Sequence, residues 1–301
     1  MIFTPVTIND KNILVPYLFR YGANSCQHSF TQMVGLFAKY GDEYCVMDNI
    51  LYIHRSKLDT EDKRVYLAPF GNTEDCLKEC IDNLFKDAHS YGKKLVFESL
   101  TKDFVRELKA VCEDKFVYCN NRDLAEYIYS TDTMISLSGG RLDGKRNHIN
   151  TFHANYPNAV IEKISAANIC DAKSYQLEWL ADRNCYEADE RLDMENDSIS
   201  IYLDNYELFD FDGIIIYIDG KVAGFCAGVP LSDNCMDEVI EKGDRNYSGI
   251  YQVLCQQFAK MCCNGYEYIN REEDLGIPGL RKAKKSYQPA ILLDKYVVWE
   301  I

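Results

Sequence analysis

Two stretches of this 301-residue chain carry more polar chemistry than a solvated surface needs. The first is Gly139-Gly140-Arg141-Leu142-Asp143-Gly144-Lys145-Arg146-Asn147-His148-Ile149-Asn150-Thr151-Phe152. If residues 145–153 are helical, Arg146, Asn150 and His153 fall on one stripe, while Ile149 and Phe152 anchor the segment in a core. The second, residues 269–287, reads INREEDLGIPGLRKAKKSY and begins at the end of an expected strand, where open α/β sheets place their ligand crevices. A weaker signal is KGDRNYSGIYQ (242–252), a glycine-bearing loop entering a helix whose free N–H groups suit a phosphate; it singles out Arg245, Ser248 and Gly249. Plainer readings compete with each. An Arg146 beside an acidic residue is more often an ordinary ion pair, RKAKK reads as a solvated helical face, and His148 reads equally as a satisfied, partly buried imidazole. The chain holds no Gly-x-Ser-x-Gly elbow, P-loop or dinucleotide fingerprint, so hydrolase, kinase and Rossmann chemistry find no support.

The elements that must position these residues recur in the same order in both halves. EYCVMDNILYI (43–53) and RVYLAPF (64–70) are strand-like, rich in β-branched and aromatic residues. Leu77, Cys80, Ile81, Leu84, Phe85 and Ala88 form the one-sided apolar stripe of a helix, with Gly92 past its end. KLVFES (94–99) is a short buried strand, and Thr101 is placed to cap a helix carrying Phe104, Val105, Leu108 and Val111. In the second half, GIIIYIDGKVAGFCAGV (213–229) predicts two strands around an Asp219-Gly220 hairpin turn. A helix over 249–263, a strand at 266–270, a helical or loop segment at 275–287 and a strand or strand pair at 290–299 follow. Hairpins bring antiparallel strands and helical crossovers bring parallel ones, so both halves predict mixed sheets in an α/β fold. The expected domains are 1–135 and 155–301, joined by a linker and entry helix at 136–154.

Composition bounds the setting. Hydrophobic residues make up 47% and charged residues 27%, as in ordinary folded proteins. No run approaches the roughly 18 apolar residues of a spanning helix, and MIFTPVTINDKNILVPYLF lacks the basic start and cleavage site of a signal peptide, so the expected location is cytoplasmic. Thirteen scattered cysteines in that setting are expected to be reduced; Cys76–Cys80 and Cys262–Cys263 match no zinc spacing, so no metal is expected. The net charge of −14, most of it after residue 135 and concentrated in 186–212, argues against broad nucleic-acid binding.

LDGKRNHINTFHANYP and YINREEDLGIPGLRKAKKSYQPAILLDKY resemble the signatures of a bacterial family related to the C-terminal domain of phosphatidylglycerol lysyltransferase, and residues 213–301 are similar to a GCN5-related acyltransferase fold. The resemblance covers most of the chain and implies two tandem GCN5-related N-acyltransferase-like domains. It implies transfer of an acyl or aminoacyl group to an acceptor the sequence does not name, with a coenzyme A thioester or aminoacyl-tRNA as donor and no covalently bound cofactor. Carried over residue by residue, the implied pocket holds Lys145, Arg146, Asn147 and His148 from the first motif, and Asn270, Arg271, Glu272, Asp274, Arg281, Lys284 and Tyr287 from the second. Within it Glu272 or Asp274 would take the acceptor's proton and Arg271 would polarise the carbonyl. Arg281, Lys284 and the loop with Arg245, Ser248 and Gly249 would hold phosphates. A counterpart of the membrane enzymes' transmembrane half is not expected in these 301 residues. The competing expectation is a non-catalytic binding module of the same fold that holds a nucleotide-like or acidic ligand.

Overall fold

The computed structural model describes residues 1–184 and 190–301. Its strands are β1 (Thr4–Pro5), β2 (Asp42–Met47), β3 (Ile50–Arg55), β4 (Lys63–Tyr66), β5 (Lys94–Thr101), β6 (Phe116–Asn120), β7 (Glu126–Ser130), β8 (Val160–Lys163), β9 (Asp212–Ile218), β10 (Lys221–Ser232), β11 (Cys235–Gly243), β12 (Tyr268–Glu273), β13 (Ile291–Leu293) and β14 (Lys295–Glu300). They form two seven-stranded sheets within two compact units. One unit comprises Met1–Glu126, Glu273–Ile277 and Leu292–Ile301; the other comprises Tyr127–Glu272 and Pro278–Ile291.

Local chemistry accounts for most elements of the first unit. The stretch 43–53, expected as one strand, is a hairpin: Asp48 and Asn49 adopt left-handed φ of 51° and 60°, which short polar side chains tolerate, and β2 folds back on β3. The helix Leu77–Ser90 buries the expected stripe of Leu77, Cys80, Ile81, Leu84, Phe85 and Ala88, the larger side chains contributing about 1.5–3 kcal/mol each on the usual transfer scale. Past its end, Gly92 turns left-handed at φ 69°. The Thr101 hydroxyl accepts the Phe104 N–H at 3.4 Å and so caps the helix Lys102–Cys112.

The two sheets share one strand order. The first runs β1-β2-β3-β4-β5-β14-β6, and the second runs β8-β9-β10-β11-β12-β7-β13. Each holds one parallel pair bridged by a helix: β4 with β5 through Leu77–Ser90, and β11 with β12 through Ile250–Met261. In each, the strand beyond that pair comes from the other half of the sequence. β14 lies antiparallel between β5 and β6, with Val298 fully buried in the first unit's core, and β7 lies between β12 and β13. This differs from the expected division at 135 and 155. An apolar run such as 290–299 specifies a strand, but its sheet is decided by which core its buried face completes.

In the second unit, Ile149 and Phe152 pack into the core with Ile214, Ile216, Val253, Leu254 and Phe258. Two further helices, Ile169–Asn184 and Glu190–Asp204, precede β9. The acidic stretch 186–212 begins in residues that lie outside the described ones.

Candidate functional site

Strand β11 carries an irregularity that creates the site. Ala227 of β10 pairs with Ile240 but Gly228 pairs with Glu238, so Val239 is an extra residue, a β-bulge. In an unbroken strand, residues three apart point to opposite faces. The extra residue shifts the alternation, and Glu238 and Glu241 reach the same guanidinium. Gly228 makes this possible: a Cβ there would stand 1.9 Å from the Asp237 carbonyl oxygen and 2.8 Å from the Phe258 ring.

On the other side, β12 parts from β11. Their parallel pairing ends at Asp237 and Asn270, and the next residue on β12 is Arg271. Its Nε meets Glu238 Oε1 at 2.7 Å and its Nη2 meets Glu241 Oε2 at 2.7 Å, with the arginine 9% exposed. Glu272 then turns left-handed at φ 57°, its N–H held by Asn270 Oδ1 at 2.8 Å. Two carboxylates share one buried cation. Burial pushes the Glu238 carboxyl up to about 7, Arg271 pulls it down, and the Glu241 charge pushes it up again. Glu238 Oε2 is buried and accepts no hydrogen bond from the described residues.

Around this centre, the Cys255 thiol donates to Glu241 Oε1 at 3.1 Å, and burial holds that thiol well above its usual value. It is therefore no thiolate nucleophile near neutral pH. The Tyr287 ring lies 5.3 Å from the Arg271 guanidinium, and the Lys145 ammonium stands 4.0 Å from the centre of the same ring. Burial lowers the Lys145 pKa, and the neighbouring Arg271 charge adds to that. Lys284 Nζ donates to the Arg271 carbonyl, and the Tyr129 hydroxyl donates to the Lys284 carbonyl at 2.8 Å.

The two sequence motifs thus meet through Lys145 and Tyr287, but not all their members do. The helix Asp143–Asn155 forms as expected, and Arg146, Asn150 and His153 line a groove of about 420 Å³ with Gln256 and Lys260. Arg146 itself donates to the carbonyls of Leu137 and Gly139 and pairs with Asp143, closing the end of the helix Thr131–Ser136. Asn147 and His148 are exposed, and Arg281 and Lys284 are half-buried on the helix Pro278–Lys285. Asp274, expected as a base, is fully buried in the first unit, where it pairs with Arg122 at 3.3 Å and accepts the Gly276 N–H at 2.9 Å. Those are the contacts of a turn clamp, because a buried carboxylate is held by the nearest cation and amide.

Nor does the 242–250 loop present a bare row of amides. The N–H groups of Asp244, Tyr247 and Ile250 donate to backbone carbonyls, and Asn246 N–H donates to the Asp244 carboxylate. Gly249, at φ 90°, is pressed by the His148 carbonyl, 2.4 Å from where a Cβ would sit. Exposed Arg245 lines an open cleft of about 1100 Å³ with Trp179, Tyr217 and Asp171, while Ser248 is exposed beside the helix start. Sequence reasoning missed Glu238, Glu241 and Cys255. A faint signal existed in CMDEVIEKG, a strand-like run whose acids are three apart and cannot share a face without a bulge.

The first unit has its own buried charges. Arg55, 1% exposed, lies between Asp42 at 3.3 Å and Glu98 at 3.0 Å, and Lys295 of β14 pairs with Glu126 at 2.6 Å with both side chains fully buried. Among the described residues, two groups of three possible metal ligands lie within one unit and within 4.8 Å of one another: Glu238, Glu241 and Cys255, and Cys26, Glu126 and Glu273. In the first, Glu238 and Glu241 already pair with Arg271; in the second, Glu126 pairs with Lys295. The described cysteines are free, and no helix among the described residues is long and apolar enough to cross a membrane.

Known proteins share this architecture. A conserved protein of unknown function from Bacteroides thetaiotaomicron superposes with a TM-score of 0.92 at 29% identity, over 99% of both chains. The L-PGS structure from Bacillus licheniformis superposes with a TM-score of 0.66 at 17% identity, covering 99% of this chain and 93% of that one. An uncharacterized protein of Mycoplasmoides gallisepticum is 23% identical over 268 residues, 85% of this chain and 77% of that protein. The fold is α/β, two mixed sheets that share one strand order and are flanked by helices. The model of the family described as phosphatidylglycerol lysyltransferase, C-terminal, matches residues 19–299, and the chain belongs to that family.

Proposed function

We propose that this protein is a transferase that moves an aminoacyl group from an activated ester to an amine or hydroxyl acceptor, with Arg271, Glu238 and Glu241 at its working centre. The observation that carries this reading is the Arg271 guanidinium shared by Glu238 and Glu241 where two parallel strands part, with burial raising the Glu238 carboxyl. A proton acceptor works best with a pKa close to the operating pH, and Glu238 Oε2 is the oxygen not already committed to Arg271. With Nε and Nη2 fixed on carboxylates, Arg271 has Nη1 left for a carbonyl oxygen as it becomes an oxyanion. The Lys145 ammonium, its pKa lowered, is suited to give a proton to the leaving oxygen. Glu272, half-buried beside Arg271, is the second candidate base, and Asn270, Lys284, Arg281 and Tyr287 would contact the substrate. Asn147 and His148 would touch only an exposed part of the substrate.

One consideration favours an aminoacyl ester over a coenzyme A thioester: the family is described by lysyl transfer. With a net charge of −14, recognition would centre on the aminoacyl end of a tRNA rather than on its body. The test is to incubate the protein with radiolabelled lysyl-tRNA, a mixture of other aminoacyl-tRNAs, or acetyl-coenzyme A, each with an acceptor extract, and to follow label leaving the donor. Lysyl or another aminoacyl label moving to a new product supports the reading. Acetyl transfer alone would replace the donor, and no turnover with any donor would refute it.

The mutual neutralisation of Arg271 by two carboxylates also suits a closed, non-catalytic binding site. Stabilisation by a donor without turnover, about 2.7 kcal/mol at 100 times its dissociation constant, would identify that case.

A further inference from the structure

Far from the polar centre in sequence, at the start of the helix Leu77–Ser90 in the first unit, Cys76 and Cys80 hold their sulfurs 3.8 Å apart. We propose that this pair is a modification site for hydroperoxides: Cys76 is oxidised first and Cys80 converts it to a disulfide.

The two cysteines differ in the way such a reaction needs. Cys76 is the residue just before the helix, with non-helical backbone at φ −126° and ψ 11°, and it is partly exposed. The helix start has no side-chain cap, and the Cys76 sulfur sits on its solvent side, 3.6 Å from the Asn72 carbonyl, where a small peroxide can reach it. Cys80 points inward, 2% exposed beside Tyr52, and burial keeps it a thiol, pushed up to about 11. An accessible sulfur at a helix N-terminus with a protected second sulfur alongside is the arrangement of a reactive and a resolving cysteine.

In the first step the Cys76 thiolate attacks one peroxide oxygen and the O–O bond breaks. The alcohol or water leaves after taking a proton, and Cys76 becomes a sulfenic acid. In the second, the Cys80 sulfur attacks the Cys76 sulfur, the S–O bond breaks, and water departs with the Cys80 proton. Two thiols and one hydroperoxide thus give one disulfide, one water and one alcohol or second water. A disulfide bond is about 2.05 Å long, so the sulfurs must close by about 1.8 Å. Rotation of the Cys76 side chain away from the Asn72 carbonyl supplies that movement, while its backbone stays held by its N–H on the Thr73 carbonyl at 3.1 Å and its carbonyl on the Cys80 N–H at 2.9 Å.

The test treats the native, full-length protein with a few equivalents of hydrogen peroxide, stops the reaction with catalase, and then denatures and alkylates. Lys78 lies between the two cysteines, so tryptic cleavage puts them in separate peptides that only a disulfide joins. The expected result is a joined Cys76–Cys80 peptide pair, loss of both thiols to alkylation, and their recovery on reduction. Exposed Cys119 and Cys170 should remain alkylatable at the same peroxide dose. The Cys76→Ser variant should leave Cys80 fully alkylatable. Full alkylation of both cysteines while Cys119 or Cys170 oxidises would overturn the proposal, as would Cys76 sulfinic acid with Cys80 still free. A bridge that forms only in denatured protein would overturn it too.

Discussion

Replacing Glu238 by glutamine keeps the side chain's shape and its capacity to accept the Arg271 Nε–H, while removing the titratable oxygen. Arg271 keeps Glu241 at 2.7 Å in the variant, so the guanidinium is not left unpaired. The folded-state carboxyl titrates near 7 against its usual 4.5, so the folded protein binds this proton more tightly than the unfolded chain does. That contribution to stability is fully present below about pH 4.5 and is lost as pH rises through the raised folded-state value. Glu238→Gln should remove this slope, and denaturant melts at pH 5 and pH 8 should show a smaller difference than in the unsubstituted protein. Loss of a positioned base should slow aminoacyl release from lysyl-tRNA by about 10²–10⁴-fold. The rate of the unsubstituted protein should rise through pH 7 and that of the variant should not. Full activity in Glu238→Gln would remove Glu238 from the mechanism. A loss of roughly 3–5 kcal/mol at both pH values, with transfer reduced only in proportion to folded protein, would make the cluster a structural clamp.

Gly228→Ala should cost about 3 kcal/mol or more, because the new Cβ meets the Asp237 carbonyl at 1.9 Å and the bulge must give way; a thermal melt within a degree or two of the parent would contradict the reading of β11. Lys295→Ala leaves Glu126 buried without its cation and should lose roughly 3–5 kcal/mol in denaturant melts, and a stability matching the parent would deny the pair that weight. Truncation after Asp294 removes β14 from between β5 and β6, so hydrogen exchange should show loss of protection across β5 and β6 while β9 and β10 keep theirs. Unchanged protection in β5 would mean that the first sheet closes without it.

What could be read from the chain itself was whatever neighbouring residues decide. The stripe from Leu77 to Ala88 specifies a helix wherever it packs, and Asp219-Gly220 between apolar runs specifies a hairpin. The order of elements along the chain, common to both halves, follows from such local signals, as does the mixed α/β class. The density of polar residues singled out 145–148 and 270–287, and the structure brings Lys145 onto Tyr287. The remainder was decided at a distance. Nothing near residues 295–300 says that this strand closes the first sheet, because Val298 finds its core only when β5 and β6 are already beside it. Asp274 and Glu272 stand two residues apart and look alike as candidate bases, yet Arg122, 152 residues away in the chain, ties Asp274 into a turn. Glu238 and Glu241 look like solvated acids of an ordinary strand. One inserted residue opposite Gly228 turns both toward Arg271, and the burial that follows, not the residue type, brings the Glu238 carboxyl close to neutrality.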